Sequence, residues 1–441
     1  MAMSSFNAES DAIVIGGGVS GLAAAAFLAR SGKRVRLFEQ SHTLGGRAQT
    51  THRNGFFLNL GPHALYRGGR GIEVLRELGI EPKGRVPSVS GAYAIRNGVK
   101  HTFPAGTVSL LTTSLFGLSA KLEAARLLSS ISKIDSNRYD GTSVREWLDQ
   151  TLSHREVKDF VLAAFRVATY TNAPELMSAG TAIEQLKKAF ETSVLYLDDG
   201  WETLVNGLRD AAVKSGVLIE TGAKVKSVSR DASGEVESVK TADGTVFRTP
   251  AVVVASSPLA AVSIIEAGSQ TSLANWVDQS IPVKAACLDV ALNHLPRSKS
   301  NFALGVDRPL YLSVHSATAH LAPEGSALIH AAMYLSPDND ESAEQIEREL
   351  ESLLDLVQPG WRAAVVHRRF LPDMIVMNWL PLAAHNGAHG RPSPKVADVK
   401  GLYVAGDWVG SEGLLVDASL SSAKEAATLI VAEHARVAAV A

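Results

Sequence analysis

The hydrophobic pattern near the start of the chain predicts a strand, a helix and a second strand in close succession. Ala12–Ile15 is a short apolar run, Leu22–Arg30 places Ala and Leu at helical spacing, and Arg34–Glu39 is a second run of strand type. A helix between two strands within about thirty residues is a βαβ unit. We therefore expect this segment to open a parallel sheet.

Helical spacing prevails from about residue 71 to residue 188, and strands return after it. The predicted helices are Gly71–Leu78, Leu118–Ser132, Ser143–Gln150, Glu156–Val167 and Trp201–Ser215. The next strands are Val217–Glu220 and Ala223–Ser229, followed by the turn residues Asp231–Gly234 and Asp243–Gly244 and the apolar run Pro250–Ser256. A strand that is apolar throughout, like this last one, is typical of the centre of a sheet that is buried on both faces.

The last part of the chain mixes strands with two helices. The strands are Ala285–Leu292, Ser326–Tyr334 and Gly401–Asp407, and the helices are Ser342–Leu356 and Leu415–Arg436. Because βα patterns of nucleotide-binding type occur at both ends of the chain and near its middle, we predict two interleaved domains. Residues 1–70, 197–260 and 391–441 would form an α/β nucleotide-binding domain, and residues 71–196 and 261–390 an α+β substrate-binding domain.

Composition narrows the class of protein. The 441 residues carry 43 basic and 45 acidic side chains, so there is no basic excess to bind nucleic acid. The lone cysteine, Cys287, excludes an intramolecular disulfide, a Cys-rich zinc site and an iron–sulfur cluster. The first ten residues lack the features of a secretion signal, and no apolar run reaches the ~20 residues of a membrane span. We expect a cytoplasmic enzyme.

Three glycines between the first strand and the first helix carry the clearest chemical signal. Gly16, Gly18 and Gly21 have the G-x-G-x-x-G spacing of a dinucleotide-binding turn. Glycines there permit a tight turn, backbone approach to a pyrophosphate and close helix packing. Glu39, followed by Gln40, ends the second strand, where an acid binds ribose hydroxyls and repels a 2′-phosphate. The pattern therefore predicts FAD or NAD rather than NADP.

Further motifs distinguish FAD from NAD by resemblance. Leu44–Thr50 reads Leu-Gly-Gly-Arg-Ala-Gln-Thr, and it is followed by Asn59–His63, Asp199–Leu204, Gly222–Val225 and Leu402–Trp408. In this order the motifs resemble the flavoprotein superfamily of amine oxidases, protoporphyrinogen oxidases and phytoene desaturases, with the phytoene desaturase-like branch closest. The resemblance implies a Rossmann-like FAD-binding domain of the glutathione-reductase type, interleaved with the substrate-binding domain.

The same resemblance assigns residues to the cofactor. It implies FAD contacts by Gly45, Gly46, Arg47, Gly61, Pro62, His63, Val225, Gly406, Asp407, Leu415 and Val416. Arg47 can offset the pyrophosphate charge, Val225 would contact the adenine end, and Asp407 would hold the ribityl or pyrophosphate part. The helix from Leu415 would direct its N-terminal dipole at the flavin. Monoamine oxidases bond their flavin through a cysteine near the C-terminal motif, but Cys287 lies far from it, so we expect non-covalent FAD.

Departures from the family pattern bear on the substrate. Amine oxidases have Gly-Tyr-Met-Glu-Gly-Ala at the flavin face, whereas Gly413–Ala418 has Leu414 in place of the cage tyrosine and Val416 in place of the glutamate. Aromatic residues make up 6% of the chain, which leaves few replacements for that wall. Asn59 stands where an acid is usual. These differences disfavour an amine substrate.

Catalytic residues are predicted less directly. His63 is a candidate for orienting substrate or handling a proton near the flavin, against a favoured alternative as a structural histidine. Lys284 lies roughly where amine oxidases hold a water with a lysine, against a favoured alternative as a solvated residue at a strand edge. His385 and His389 are four positions apart, but Gly387 between them indicates a loop, so we expect no metal site.

The apolar segment at residues 107–118 is too short to span a membrane. One interpretation is a lid or a peripheral contact with the membrane surface, which Lys121 and Arg126 beyond it would favour. The preferred interpretation is a core helix of the substrate-binding domain.

The motifs together predict a FAD-dependent oxidoreductase. It would take a hydride from a C–H bond of a fairly apolar small molecule to flavin N5, as a desaturase or an oxidase, and pass electrons to oxygen or a quinone. A flavin amine oxidase is the first alternative. A non-redox flavin-dependent isomerase or binding protein is the second, because such proteins keep the whole FAD framework.

Overall fold

The computed structural model describes residues 9–440, with side chains described up to residue 436. The prediction about a secretion signal falls mostly on residues 1–8, which lie outside the described residues. The helices of the described part are α1 (Val19–Arg30), α2 (Arg70–Glu77), α3 (Thr107–Thr112), α4 (Leu118–Ser130), α5 (Val144–Thr151), α6 (Arg155–Thr169), α7 (Ala179–Thr192), α8 (Glu202–Lys214), α9 (Pro258–Ile264), α10 (Ser272–Gln279), α11 (Ala343–Val357) and α12 (Leu415–Val440).

Within residues 9–440 the strands belong to five sheets of two to seven strands. In chain order they are β1 (Ala12–Ile15), β2 (Val35–Glu39), β3 (Thr50–Arg53), β4 (Phe56–Asn59), β5 (Leu65–Tyr66), β6 (Gly84–Arg85), β7 (Tyr93–Arg96), β8 (Val99–Thr102), β9 (Val194–Leu197), β10 (Leu218–Thr221), β11 (Val225–Arg230), β12 (Val236–Thr241), β13 (Val246–Arg248), β14 (Val252–Val254), β15 (Val283–Leu292), β16 (Phe302–Gly305), β17 (Leu310–Val314), β18 (Ala327–Leu335), β19 (Val365–Met377) and β20 (Leu402–Val404).

A five-stranded parallel sheet has the order β10–β2–β1–β14–β20. In chain order these are the third, second, first, fourth and fifth strands, so strand addition reverses between β1 and β14. Ligands of such sheets bind beyond the carboxyl ends of the strands at this switch point. Helices α1, α8 and α12 cover one face of the sheet, and β11–β13 with α9 cover the other.

A seven-stranded sheet has the order β19–β15–β18–β17–β16–β7–β8. Its pairs are antiparallel except for β16 and β7. Helix α11 packs on one face, and helices α3–α7 form an apolar core beside the sheet. The strands of the two large sheets alternate along the chain. The expected α/β class of fold is confirmed, and the proposed domain boundaries stay a prediction.

Strand β19 was missed by the sequence analysis. Its side chains are partly or largely exposed except for buried Met377, and Pro372 interrupts the run, so neither an apolar nor a clean alternating pattern results. The strand forms despite this pattern because β19 lies at the sheet edge and has a bulge at the proline. The bulge is seen in the register, where Cys287 pairs with Leu371 and Ala285 pairs with Met374. Edge strands and bulges are where proline is tolerated in a sheet.

The preferred interpretation of residues 107–118 as a core helix is wrong for one side of the segment. Leu110 and Phe116 are buried, but Val108 and Leu111 on α3 and Leu118 on α4 are largely exposed. The segment is amphipathic, and a short apolar run does not reveal that one of its faces lacks a packing partner.

Candidate active site

A cavity of about 940 Å³ opens at the switch point of the parallel sheet and extends to the seven-stranded sheet. Its lining includes Gly16 and Ala255, just past the ends of β1 and β14, and Ala285 and Ala332 on β15 and β18. The volume lies near the top of the ~300–1,000 Å³ range of small-molecule sites. The cavity therefore suits an extended ligand that reaches from one sheet to the other.

Neighbouring protein atoms require glycine at Gly16 and Gly21, whereas the described residues leave room for a side chain at Gly18. A Cβ at Gly16, where φ is +110°, would lie 2.4 Å from the Ala255 carbonyl oxygen, and a Cβ at Gly21 would lie 1.8 Å from the Gly16 carbonyl oxygen. A Cβ at Gly18 would meet no atom of the described residues within 4 Å, yet Gly18 lines the cavity. This position is where backbone approaches the pyrophosphate in dinucleotide sites, so the loop fits such a cofactor.

Glu39 and Gln40 line the cavity at the end of β2. Glu39 Oε2 accepts a hydrogen bond from the Gly17 amide at 2.6 Å, and Oε1 accepts one from the Ser41 amide at 2.8 Å. Two backbone donors thus fix the carboxylate beside the glycine loop. Each oxygen keeps a lone pair for a ribose hydroxyl.

An ion pair between Arg47 and Asp407 joins two motifs that are 360 positions apart. Arg47 Nη1 lies 2.6 Å from Asp407 Oδ2, and Asn378 donates to the carboxylate from its amide at 3.1 Å and from Nδ2 at 2.9 Å. Burial acts to raise the pKa of Asp407, but Arg47 and Asn378 outweigh it, and the net pKa lies below the ordinary value. The buried carboxylate is therefore ionised and held in one orientation.

Arg391 was missed by the sequence analysis, although it fixes the segment that carries Asp407. This buried side chain donates to the carbonyl oxygens of Asp407 at 3.1 Å and Gly413 at 2.7 Å. Burial lowers the pKa of Arg391 to about 10, so it remains charged at neutral pH. The two contacts hold the turn that places Leu415 and Val416 on the cavity wall.

His63 lies on the cavity wall beside Trp201, with ring centroids 4.8 Å apart. Burial lowers the pKa of His63 to about 4, so its imidazole is neutral at pH 7. Nδ1 is 3.1 Å from the Gly61 carbonyl oxygen. With Nδ1 donating to that oxygen, Nε2 is an acceptor, and the ring can accept a proton or a hydrogen bond there.

Trp201 completes this wall, and Asn59, which lies outside the lining, holds the Trp201 backbone. Asn59 Oδ1 accepts hydrogen bonds from Thr50 Oγ1 at 2.8 Å and from the Trp201 amide at 2.9 Å, so the amide at position 59 ties three segments together. Trp201 Nε1 is buried and has no partner among the described residues. An unpaired buried donor costs about 1–3 kcal/mol, which makes it a candidate partner for a ligand in the cavity.

The remaining cofactor residues divide into two groups. Gly45, Gly46, Pro62, Val225, Gly406, Leu415 and Val416 line the cavity. Gly61 lies behind the wall, where a Cβ would be 2.8 Å from Met374 Cε. Gly21 also lies outside the lining, where it serves helix packing.

Two residues tied to amine chemistry lie away from the cavity wall. Lys284 pairs with Asp373 at 2.9 Å between partly exposed side chains, on a strand that lies between β18 and β19 rather than at a sheet edge. Leu414, expected on the wall in place of a cage tyrosine, is instead buried in the core formed by α3–α7. The position on the wall predicted for Leu414 is occupied instead by its neighbours Leu415 and Val416.

The end of the cavity farthest from the glycine loop is mostly apolar. Ala285, Ala332, Leu371 and Met374 line it together with Tyr170, whose hydroxyl donates to the Pro62 carbonyl oxygen at 3.0 Å. The bulge of β19 presents Leu371 and Met374 to this chamber. No local motif marks these residues, because β15, β18, β19 and α6 meet only in the folded chain.

A buried polar cluster lies behind the chamber. Asp289 Oδ1 accepts a hydrogen bond from Cys287 Sγ at 3.1 Å and lies 2.5 Å from His330 Nδ1, while Arg369 Nε donates to Oδ2 at 3.0 Å. Burial acts to raise the pKa of Asp289, but His330 and Arg369 outweigh it and the net pKa is lowered. Cys287, Asp289 and His330 are close enough to bind a metal ion, but the guanidinium of Arg369 already supplies the positive charge.

Comparison with known proteins identifies the family. The chain belongs to the flavin-containing amine oxidoreductases, whose family model matches residues 19–431. It is therefore a flavin-containing oxidoreductase of the amine oxidase superfamily, the superfamily that the motifs predicted.

Individual relatives are distant. Coproporphyrinogen III oxidase of Bacillus subtilis is 23% identical over 375 residues, which span 75% of this chain and 78% of that protein. Protoporphyrinogen oxidase 2 of Arabidopsis thaliana is 28% identical over 170 residues, 37% of this chain and only 33% of that protein. A structure of putrescine oxidase with bound putrescine has a TM-score of 0.75 at 16% identity and covers 96% of this chain and 99% of its own. That last likeness shows the shared fold.

No helix among residues 9–440 combines the length and the apolar composition that crossing a membrane requires.

Proposed function

We propose that this protein is a FAD-dependent oxidoreductase that takes a hydride from a C–H bond of a fairly apolar small molecule, leaving a C=C or C=N bond. The observation that carries the proposal is the cavity, which joins a dinucleotide loop to an apolar chamber. When bound, FAD supplies the acceptor for the hydride. The protein supplies binding, orientation and exclusion of water.

The residues described above divide the binding of FAD among them. Gly18 and the N-terminus of α1 would receive the pyrophosphate, Glu39 the ribose, and Arg47 the phosphate charge. Cys287 is buried behind Gly61 and donates to Asp289, which supports non-covalent attachment. Release of unmodified FAD on mild denaturation tests this assignment, and flavin that stays with the chain would contradict it.

The apolar chamber supports a substrate oxidised at carbon. Ala285 and Ala332 leave room between Tyr170 and Met374, and Asp373 is the acidic residue of the lining at this end. Neutral His63 would orient the substrate or accept a proton at Nε2. Reduced cofactor would be reoxidised by oxygen or a quinone, which comparison of the two acceptors under steady-state turnover distinguishes.

The shared fold of putrescine oxidase supports flavin amine oxidation as a second candidate. Tyr170 and Trp201 are aromatic residues of the lining that could flank an amine. A panel of primary and secondary amines with detection of hydrogen peroxide tests this candidate. Rapid turnover of any amine would favour it over oxidation of an apolar substrate.

A flavin-dependent isomerase or binding protein would use the same framework without net redox turnover. The distinguishing measurement is the visible absorbance of the oxidised flavin after anaerobic addition of substrate. We expect the absorbance to be lost and to return with oxygen or a quinone. Conversion of the substrate with the absorbance unchanged and no acceptor present would exclude the oxidoreductase proposal.

A further inference from the structure

Helices α3 and α4 expose a continuous group of aliphatic side chains, which we call the α3–α4 face. Its members Val108, Leu111, Leu118 and Leu122 are 76%, 65%, 84% and 63% exposed. They lie within fifteen positions of the sequence, whereas other exposed aliphatic residues are more scattered. A grouped apolar surface of this kind marks an interaction site.

The outward orientation of these side chains is fixed by the packing beneath them. Leu110, Phe116 and Leu127 on the inner side are buried in the helical core, so rotating the helices would expose them instead. Lys121 Nζ also donates to the Leu111 carbonyl oxygen at 2.6 Å, which ties α4 to the end of α3. The face is therefore a stable feature of the surface.

Two basic side chains, Lys121 and Arg126, lie on α4 together with Leu118 and Leu122 of the face, although the whole chain has a net charge of −2. Helix α4 has one acidic residue, Glu123. The Glu123 carboxylate is occupied by the amides of Ser153 at 2.8 Å and His154 at 3.0 Å. Arg126 is exposed on α4, and one other carboxylate, that of Glu156, lies near Gly117. An apolar face with a basic border complements an anionic lipid surface.

A layer of aromatic rings connects the core under this face to the cavity. Neighbouring ring centroids are 5.5–6.5 Å apart along Phe116, Phe160, Phe103, Phe302, Tyr311, Tyr334 and Tyr170. Phe116 lies under the α3–α4 face, and Tyr170 lines the apolar chamber. The interior between the face and the chamber is thus apolar and aromatic along its whole length.

We propose that the α3–α4 face docks on the surface of an anionic phospholipid bilayer. The four aliphatic side chains would enter the boundary between headgroups and acyl chains, and Arg126 and Lys121 would lie at headgroup level. The aromatic layer would then be the side from which an apolar substrate approaches, a consequence that rests on the proposed function. A second copy of this chain is a poorer occupant, because four side chains fall well short of the ~800 Å² per partner of stable interfaces.

The test is co-sedimentation of the flavin-loaded protein with phosphatidylcholine vesicles, with and without phosphatidylglycerol. We expect stronger binding to the anionic vesicles, weakened by salt. Leu111→Glu with Leu118→Glu should lower the partition coefficient at least about tenfold, while Val213→Glu with Leu259→Glu, at exposed sites on α8 and α9, should leave it unchanged. Arg126→Ala should lower binding to anionic vesicles about fivefold.

Three results would overturn the proposal: no binding of the unmodified protein to either kind of vesicle, equal losses in the two double variants, or a concentration-dependent dimer that the Leu111→Glu, Leu118→Glu variant abolishes. The last result would assign the face to a second copy. Because vesicle binding is measured without substrate, its outcome is independent of whether the proposed reaction occurs.

Discussion

Gly18 and Gly21 differ in what demands a glycine at each position. Gly18→Val points a side chain into the cavity and meets no protein atom at Cβ, so we expect a folded protein that loses flavin affinity at least about tenfold. Gly21→Ala meets the Gly16 carbonyl oxygen, so it should instead lower the free energy of unfolding. Flavin content and urea denaturation measure the two effects.

Gly106→Val is the matched control for Gly18→Val. Gly106 also precedes the first residue of a helix, has an extended backbone and leaves the Cβ position free of protein atoms. Replacing glycine at a helix N-cap should therefore lower the free energy of unfolding by a similar amount in the two variants. Equal flavin content in both would show that Gly18 has no role in binding the cofactor.

The lowered pKa of His63 makes a part of the stability depend on pH. Its folded-state pKa of about 4 lies below that of an unfolded histidine, so the unfolded chain binds more protons between these values. Stability should therefore fall as pH decreases from about 6.5 towards 4, by about 2 kcal/mol between pH 7 and pH 5 from this group. His63→Gln should reduce that dependence in urea denaturation.

His101→Gln provides the comparison for His63→Gln, because His101 is outside the cavity lining and bonds to exposed Ser114. It controls for the loss of an imidazole away from the cavity, and the slope of stability against pH in His63→Gln is compared with its slope. If His63→Gln shows the same slope as this control, another group is responsible.

Sequence could predict the residues of the site that belong to local motifs. These residues are Gly16, Gly18, Glu39 and Arg47, which follow strands at a spacing set by the chemistry of a dinucleotide. Their positions can therefore be predicted from the sequence alone. Asn378 and the buried Arg391 also donate hydrogen bonds to Asp407, but they belong to distant segments of the chain. No spacing in the sequence predicts these contacts. The same holds for Tyr170.

At the scale of elements, Arg369 joins β19 to β15 through Asp289. Removing one partner of a buried charged cluster costs about 3 kcal/mol or more, so Arg369→Met should lower the free energy of unfolding by about that amount. Arg368→Met is the control on the same strand, because Arg368 pairs with Glu347 and Glu351 at the surface. It should cost under about 1 kcal/mol.

Chemical denaturation of both variants measures these effects. Similar losses would mean that the cluster around Asp289 contributes no more to the stability of the sheet than a surface pair.

Elements were predictable where one pattern decided them. The βαβ unit and α11 show clear periodicity and folded close to the predicted bounds. Strand β19 was not predicted because a strand at a sheet edge can have exposed side chains, and a bulge can accommodate a proline. The outer side of α3 was misassigned because apolar character predicts burial only when a partner surface exists.

For the whole molecule, binding of FAD should stabilise both large sheets together, since the cavity is lined by residues of each. At a concentration of one hundred times Kd, the free energy of unfolding should rise by about 2.7 kcal/mol. Thermal denaturation of flavin-depleted protein with added FAD measures this, and NAD is the matched control because it shares the adenine end. An equal effect of the two ligands would show that the flavin end makes no contribution.

The strand order of the parallel sheet also dictates when the site can exist during synthesis. β14 pairs with β20, which is 150 positions further along the chain, and Asp407 and α12 follow β20 directly. The ribosome thus makes the glycine loop and all strands of the seven-stranded sheet before it makes the last wall of the cavity. The last residue of the cavity lining is Ser419, so we expect cofactor loading to be a late event, and until β20 is made β14 is an open sheet edge for a chaperone to protect.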